Sequence, residues 1–265
     1  GLLAARLVRV ADGDPALVAY FQAGRKGHDG IDTQIDTLYD FGLFYQIRSA
    51  FARGEPIRGV SQMLARDWLY PNPNVLTTFL GVHDMERFMN EKGATVEGLK
   101  LAQTFIMTSR GTPLLYYGDE IAMPGGSDPD NRRDFPGGFP GDGIDKFAAS
   151  GRTKDENGVW DHVAKLAKLR QELEPLRRGR TLDLLDEEQQ MAYARVTAKD
   201  AVIVVFNNDT KPATVGFDFS MIKHFAANQT FVDRLGSVRP VNVRNSRLTF
   251  EMPPRSAAIL VDGTK

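Results

Sequence analysis

Residues 75–88, VLTTFLGVHDMERF, decide how the rest of the chain is interpreted. They begin with a short run of apolar and β-branched residues and change abruptly to polar ones at His83-Asp84. A nearly continuous apolar run is typical of a strand buried in a parallel sheet. Ionisable side chains where such a strand ends are typical of the active-site rim of an α/β fold. The stretch therefore predicts a buried strand with a candidate site at its carboxyl end.

Helices and further strands are predicted on both sides of this stretch. Apolar spacing predicts a helix that Asp14 caps, an amphipathic helix that Gly54 ends, and strands over 37–41 and 114–117. It also predicts helices over 58–69, 95–109 and 155–174, the first with Val60, Met63, Leu64 and Trp68 on its apolar face. Strands that alternate with helices indicate parallel strands joined by right-handed crossovers.

The sequence changes character at about residue 179. Short runs rich in Val, Phe, Thr and Ile follow one another at 191–196, 201–207, 213–217, 229–232, 239–243, 247–251 and 257–261. Strands at this spacing indicate an antiparallel sandwich. We therefore predict two domains, residues 1–178 and 179–265, with the boundary near Arg178-Gly179.

Composition excludes several classes of partner and site. The 265 residues carry a formal net charge of −1, which favours neither nucleic acid nor an anionic membrane as partner. No apolar run is long enough to span a bilayer. The absence of cysteine excludes disulfides and thiolate metal sites but does not fix the compartment. Because the chain opens on Gly1 without an initiator Met, we expect its natural N-terminus to lie further upstream.

His83-Asp84 is the first candidate site. A carboxylate at the mouth of a parallel strand can stabilise developing positive charge or orient hydroxyl groups, and a neighbouring His can donate to a hydroxyl. Asp is also a preferred helix N-cap, and a helical turn is predicted to follow. Spacing alone leaves both interpretations open. Arg87, one turn later, is read either as a partner of site carboxylates or sugar hydroxyls or, preferably, as part of a salt bridge.

A second set of polar residues lies in and beside the irregular segment 118–143. A loop this long is usually functional or disordered. Asp119-Glu120 is read mainly as solvated loop charge or as a ligand of loop amides. Arg132-Arg133-Asp134 is read either as shaping the loop or as lining a binding rim. Tyr116-Tyr117 is read as core and rim aromatics, with sugar stacking as a secondary role.

Two segments together carry a family resemblance. FLGVHDMERF and GTPLLYYGDEIAMPGG resemble the α-amylase family of glycoside hydrolases, at the ends of the seventh and eighth strands of its (β/α)8 barrel. DPDNRRDFPGGFPGD resembles the following loop of the neopullulanase and cyclomaltodextrinase-like branch. The resemblance covers roughly residues 13–262. It implies a fold of class α/β: the C-terminal part of a TIM-type barrel followed by an antiparallel β-sandwich domain.

The resemblance also implies roles for particular residues. Asp84 matches the third catalytic carboxylate, which stabilises the transition state, and His83 matches the histidine that binds substrate hydroxyls. Arg87, Arg133 and Asp134 are the further substrate-binding candidates. Val82 departs from the family's usual Asn, which puts the fine substrate contacts in doubt. The implied partner is an α-glucan, and the implied reaction is retaining hydrolysis of its α-glucosidic bonds.

Two catalytic carboxylates of the family have no match. A retaining glycosidase needs a nucleophile and an acid, yet the chain contains no G-x-R-x-D motif. The position expected for the acid Glu falls near Arg9, and residues 1–11 contain no acidic residue. We therefore expect a chain that begins near strand five, lacks the N-terminal half of the barrel and is inactive alone.

The absence of these two carboxylates leaves a second class of function open: a non-catalytic carbohydrate-binding or scaffold protein derived from the family. Related enzymes often bind calcium, and the resemblance implies that the usual ligands lie largely in the missing half. No metal and no cofactor are predicted for this chain.

Overall fold

The structure is a computed structural model that describes residues 14–24, 26, 30–32 and 34–264. The position near Arg9 lies outside the described residues. The α-helices lie at Pro15–Val18 (α1), Phe41–Phe51 (α2), Arg58–Leu64 (α3), Val96–Thr108 (α4), Lys154–Glu172 (α5) and Glu174–Arg178 (α6). The strands lie at Thr77–Phe79 (β1), Thr112–Leu114 (β2), Arg180–Asp186 (β3), Gln190–Val196 (β4), Ala201–Asn207 (β5), Ala213–Asp218 (β6), Gln229–Asp233 (β7), Val241–Val243 (β8), Arg247–Met252 (β9) and Ser256–Asp262 (β10).

The first strands are parallel, as the alternation of strands and helices predicts. β1 pairs with β2 in parallel from Thr77↔Thr112 to Phe79↔Leu114. Isolated parallel bridges extend this arrangement on the other side of β1, where Tyr39 pairs with Thr77. The two strands run in the same direction because α4 carries the chain back between them. Their carboxyl ends therefore meet at one edge, where the candidate site lies.

Two predicted strands differ from the observed ones. Residues 37–41 form a single bridge at Tyr39, because Asp40 caps α2 and the helix begins at Phe41. The predicted buried strand over 114–117 is wrong. β2 ends at Leu114, and Leu115 and Tyr117 are more than one third exposed.

A buried arginine joins the elements that lead into β1. The carboxylate of Asp40 accepts a hydrogen bond from Leu43 N at the start of α2. Its other oxygen lies 2.5 Å from Arg110 Nη1, and Arg110 also binds both carboxylate oxygens of Asp67. Arg110 is 2% exposed, so its two carboxylate partners compensate a charge that would otherwise be costly to bury.

Residues 180–262 form the predicted antiparallel arrangement. Six strands form one sheet in the order β3-β4-β5-β10-β7-β8, and β6 pairs with β9 in a second sheet. Side chains on a strand alternate between the two faces. Met191 and Tyr193 of β4 accordingly pack with the helices, whereas Ala192 and Ala194 pack toward the two-stranded sheet. The six-stranded sheet is thus a middle layer, buried on both faces.

The helices and this sheet share one apolar core. Its members in helices and strands come from α2, α3, α4, α5, α6, β4, β5 and β10. The Asn208 side chain donates to Ala50 O over 3.0 Å, and Arg255 donates to Phe51 O. The domain boundary at residues 178 and 179 stays a prediction, because the two parts pack together so closely. Within the part of the chain that the structure describes, no helix is long and apolar enough to cross a membrane.

The helix predicted over residues 58–69 is too long, and the prediction that Trp68 belongs to its apolar face is wrong. α3 ends at Leu64, and a 3-10 turn at Asp67–Leu69 follows. The change of helical geometry breaks the spacing that would place Trp68 beside Leu64 and Val60. The Trp68 side chain is 79% exposed.

Candidate active site

Asp84 and His83 lie in the turn that follows β1. Asp84 Oδ1 lies 3.3 Å from His83 Nε2 and 3.3 Å from Arg132 Nη2. The side chains of His83 and Asp84 are 65% and 51% exposed. The helix-cap interpretation of Asp84 is wrong, because the next helical turn, Phe88–Asn90, has Arg87 at its N-cap position. The carboxylate is therefore available to a ligand.

The 118–143 segment holds the main chain of this turn. Asn131 is 1% exposed, and its Nδ2 donates to His83 O over 2.8 Å and to Met85 O over 2.9 Å. Arg132 Nε donates to His83 O over 2.9 Å. The loop therefore contacts the main chain of the turn that carries the candidate carboxylate. Sequence reasoning did not identify Asn131. A polar residue between Asp130 and Arg132 gives no signal in the sequence that it is buried.

Arg87 lies beneath the turn rather than on its surface. Its side chain is fully buried, donates to Tyr117 O over 2.5 Å and places its guanidinium over the rings of Tyr116 and Tyr117. Its Nη1 lies 3.9 Å from Asp119 Oδ1. This arrangement matches the preferred salt-bridge interpretation of Arg87. The substrate-binding role that the resemblance implies stays a prediction.

Asp119 is a buried carboxyl group behind the site. Its reading as solvated loop charge is wrong, because the residue is 3% exposed. Burial raises the pKa of Asp119 to about 7, although the charges of Arg87 and Arg48 oppose this change. The burial of Asp119 follows from the turn at Gly118, which directs the chain inward with a φ of +90°. The apolar pattern of the sequence around Asp119-Glu120 gives no signal of that turn.

A second buried arginine, which sequence reasoning missed, supports the same turn from the side of α2. Arg48 Nη1 donates to Leu80 O and Glu86 O, each over 2.9 Å. Its Nη2 donates to Arg87 O over 3.1 Å. The side chain is 3% exposed and pairs with Glu91 over 3.0 Å. Its position on the buried stripe of α2, one residue after Ile47, is the signal that could have found it.

The other two predicted binding residues lie on the exposed part of the loop. Arg133 Nε pairs with Asp130 Oδ1 over 3.0 Å, and its Nη2 donates to Pro124 O over 2.7 Å. These contacts fit a role in shaping the loop. Asp134 is exposed. The binding roles of both residues stay predictions. Among the described residues, no group of His, Asp or Glu side chains lies in an arrangement suited to a metal ion.

Comparisons with known proteins find similarity to α-amylases and related enzymes. The model of the α-amylase catalytic domain matches residues 60–179. Neopullulanase 2 of Thermoactinomyces vulgaris is 30% identical over 97% of this chain. An Anoxybacillus α-amylase structure covers 98% of the chain at 26% identity with a TM-score of 0.75. The α-amylase of Geobacillus thermoleovorans, solved with acarbose, covers 94% at 25% identity with a TM-score of 0.76.

These matches confirm the predicted fold class, part of a TIM-type barrel followed by a β-sandwich. The chain spans 42% of the length of neopullulanase 2. It spans 54% and 51% of the two α-amylase chains.

Two arginines that bind the same carboxylate should differ in their contribution to stability. Arg48 and Arg53 both pair with Glu91, but only Arg48 is buried and bound to the carbonyls of the turn. Replacing Arg48 by Met should lower the free energy of unfolding by about 3 kcal/mol, because each buried group left unsatisfied costs about 1–3 kcal/mol. Arg53→Met should cost about 1 kcal/mol or less, as for other exposed ion pairs. Urea denaturation measures both, and equal losses would contradict this account.

Asp119 should make the stability of the protein depend on pH. An unfolded Asp ionises near its ordinary value, whereas the pKa of Asp119 in the folded protein is about 7. Between these values only the unfolded chain releases the proton, so this group's contribution to stability falls as pH rises and is constant above about pH 7. The slope should approach about 1.4 kcal/mol per pH unit. The Asp119→Asn variant should lack this slope. Denaturation of both proteins at a series of pH values from about 4 to 8 would measure the difference. Parallel pH curves for the two proteins would refute the assignment.

Proposed function

The chain belongs to the α-amylase family of glycoside hydrolases, and from that premise we propose that it is part of an enzyme cleaving α-glucosidic bonds of maltodextrins, cyclodextrins or related α-glucans with retention of configuration. The name of the neopullulanase relative and the acarbose bound to a related α-amylase support an α-glucan as the substrate. The observation that carries the proposal is the Asp84 carboxylate, which is half exposed at the carboxyl end of β1 beside His83.

In this proposal Asp84 stabilises charge rather than forming or breaking a bond itself. Retaining glycosidases pass through a transition state in which positive charge develops on the sugar ring. A carboxylate held at a fixed position stabilises that charge without reorganising during the reaction. Arg132 contacts one oxygen of Asp84, while Asn131 and Arg132 fix the adjoining main chain. These contacts support a preorganised carboxylate.

Of the remaining candidate residues, some would contact the substrate and one would hold the turn after β1 in position. His83 is 65% exposed beside Asp84, which suits hydrogen bonding to sugar hydroxyls. Arg133 and Asp134 would contact substrate further along the exposed loop. For Arg87 we propose a positioning role, because its buried guanidinium joins the turn after β1 to Tyr117 and Asp119.

The 265-residue chain should not hydrolyse α-glucans by itself. Retaining hydrolysis needs a nucleophilic carboxylate and a carboxylic acid about 5–5.5 Å apart across the scissile bond. Asp84 matches neither of these two groups in the family, and the motif of the nucleophile is absent from the chain. A carbohydrate-binding function without catalysis is the alternative that this absence favours.

A fusion protein tests the proposal. The part of neopullulanase 2 that precedes its residue aligned with Asp14 would be joined upstream of residue 14, so that the fusion includes that protein's own residues at the position near Arg9. We expect the fusion to release reducing sugar from maltodextrin and the 265-residue chain alone to release none. Asp84→Asn in the fusion should lower kcat at least about 100-fold, since losing one preorganised group at a transition state costs about 10²–10³ in rate.

The matched control removes a carboxylate elsewhere. Glu187 lies exposed between β3 and β4, and Glu187→Gln should leave kcat unchanged. Thermal melts would show whether the variants fold alike. Turnover by the chain alone that disappears in Asp84→Asn would overturn the proposed inactivity. Full turnover by the Asp84→Asn fusion would overturn the role of Asp84. A folded fusion without turnover would favour the binding function.

A further inference from the structure

A groove lies between the helical part of the chain and the edge strand β3. Its volume is about 330 Å³, and its lining includes Trp68, Asn74, Arg180, Thr181 and Asp183. This volume is at the lower end of small-molecule sites, which span about 300–1,000 Å³. Trp68 stands out because it is 79% exposed, whereas a large aromatic side chain usually buries most of its surface.

The exposed indole sits on a firmly held turn. Asp67, directly before it, binds Arg110 through both carboxylate oxygens, at 2.8 and 2.6 Å. Leu69 N and Tyr70 N close the turn by donating to Arg66 O and Asp67 O. Because Arg110 is itself buried between Asp67 and Asp40, the main chain that presents Trp68 is fixed. An aromatic ring fixed in this way can bind with little loss of conformational entropy.

The surroundings of the ring suit a neutral, hydroxylated ligand. The charged residues of the lining are Asp67, Arg110, Arg180 and Asp183, two of each sign. Asn74 and Thr181 add neutral hydrogen-bonding groups. A groove with balanced charge offers no net attraction to an anion or a cation. An apolar ring face next to polar groups instead matches a sugar, whose C–H face stacks on an aromatic ring while its hydroxyls form hydrogen bonds.

The arrangement is less suited to a protein partner. The other large apolar side chains exposed in the described residues are absent from the lining of this groove: Ile31, Leu115, Tyr117, Phe139, Ile144, Phe147 and Met221. Trp68 is therefore a single-ring platform among polar groups rather than part of an extended apolar patch. A stable protein interface buries about 800 Å² on each partner.

The groove is separate from the candidate active site. Asn74 precedes β1, so the groove lies toward the amino end of that strand, whereas Asp84 follows its carboxyl end. No residue that lines the groove is among those that contact the Asp84 turn.

We propose that this groove is a second α-glucan-binding site, in which a glucosyl unit stacks on Trp68 and hydrogen-bonds to Asn74, Arg180 and Asp183. The choice of an α-glucan rests on the proposed function, but binding at the groove needs neither Asp84 nor hydrolysis. A site on the opposite side of the strand from Asp84 would hold one part of a polymer while another part reaches the active site.

Tryptophan fluorescence tests the proposal directly, because the chain has only two tryptophans. Trp160 lies with its ring under Arg152, and the Trp160→Phe variant leaves Trp68 as the only reporter. With Asp84→Asn added to block turnover, titration with maltoheptaose should shift the emission of Trp68 to shorter wavelength and protect it from acrylamide. Binding followed by calorimetry should weaken about tenfold or more in Trp68→Ala.

Matched variants separate the groove from the active site. Trp68→Tyr, which keeps an aromatic face, should restore part of the affinity, and Glu187→Gln should leave it unchanged. Because Trp68 is exposed, its replacement should not alter the thermal melt. Absence of any change in Trp68 emission with maltoheptaose, or unchanged affinity in Trp68→Ala, would overturn the proposal. The proposal would also be overturned if the fluorescence showed that Trp68 is shielded without ligand and becomes exposed to water when the protein is diluted. A second copy of the chain would then cover the groove. Glucan binding without turnover in the fusion would refute the proposed hydrolysis and leave this site standing.

Discussion

The turn that carries Asp84 depends on the burial of one guanidinium group. Arg48 projects from α2 into a space where its donors meet the carbonyls of Leu80, Glu86 and Arg87. Burial lowers the pKa of Arg48, and the carboxylate of Glu91 opposes that change. A buried cation is tolerated only where such partners replace water. The carbonyls on both sides of His83-Asp84 therefore cannot move far without stranding a charge.

The 118–143 segment fixes the same turn from the opposite side. Asn131 and Arg132 bind the carbonyl of His83, and Asn131 also binds that of Met85. Two parts of the chain distant in sequence thus hold the main chain, while the side chains of His83 and Asp84 remain more than half exposed. This combination of a fixed main chain and exposed polar side chains is what preorganisation requires.

Sequence reasoning succeeded where one periodicity governs a segment. The strand at 77–79, the long helices and the strands after residue 190 follow from alternation or helical spacing. It failed where a long-range contact overrides the local pattern. Arg48 was missed because its partners lie more than 30 residues away. Asp119 looked solvated because its burial depends on how Gly118 turns the chain. β3 was missed because it lies at the edge of the sheet and is only partly buried. Its residues are a mixture of polar and apolar types without the alternation that predicts a strand.

Trp68 shows how such a failure can be informative. Its sequence position suggests a core residue, and a hydrophobic side chain left in water costs stability that burial would have supplied. The local structure nevertheless holds it outward, since Asp67 must reach Arg110 and the 3-10 turn then directs the next side chain away from α3. Asp84 is held in the same manner at the other end of β1, by Arg132 and by fixed carbonyls. In both places buried charge pairs or hydrogen bonds stabilise the main chain, and an exposed side chain is the result. Local rules of sequence often break down at functional sites, and the two ends of β1 are among the places where this chain departs from those rules.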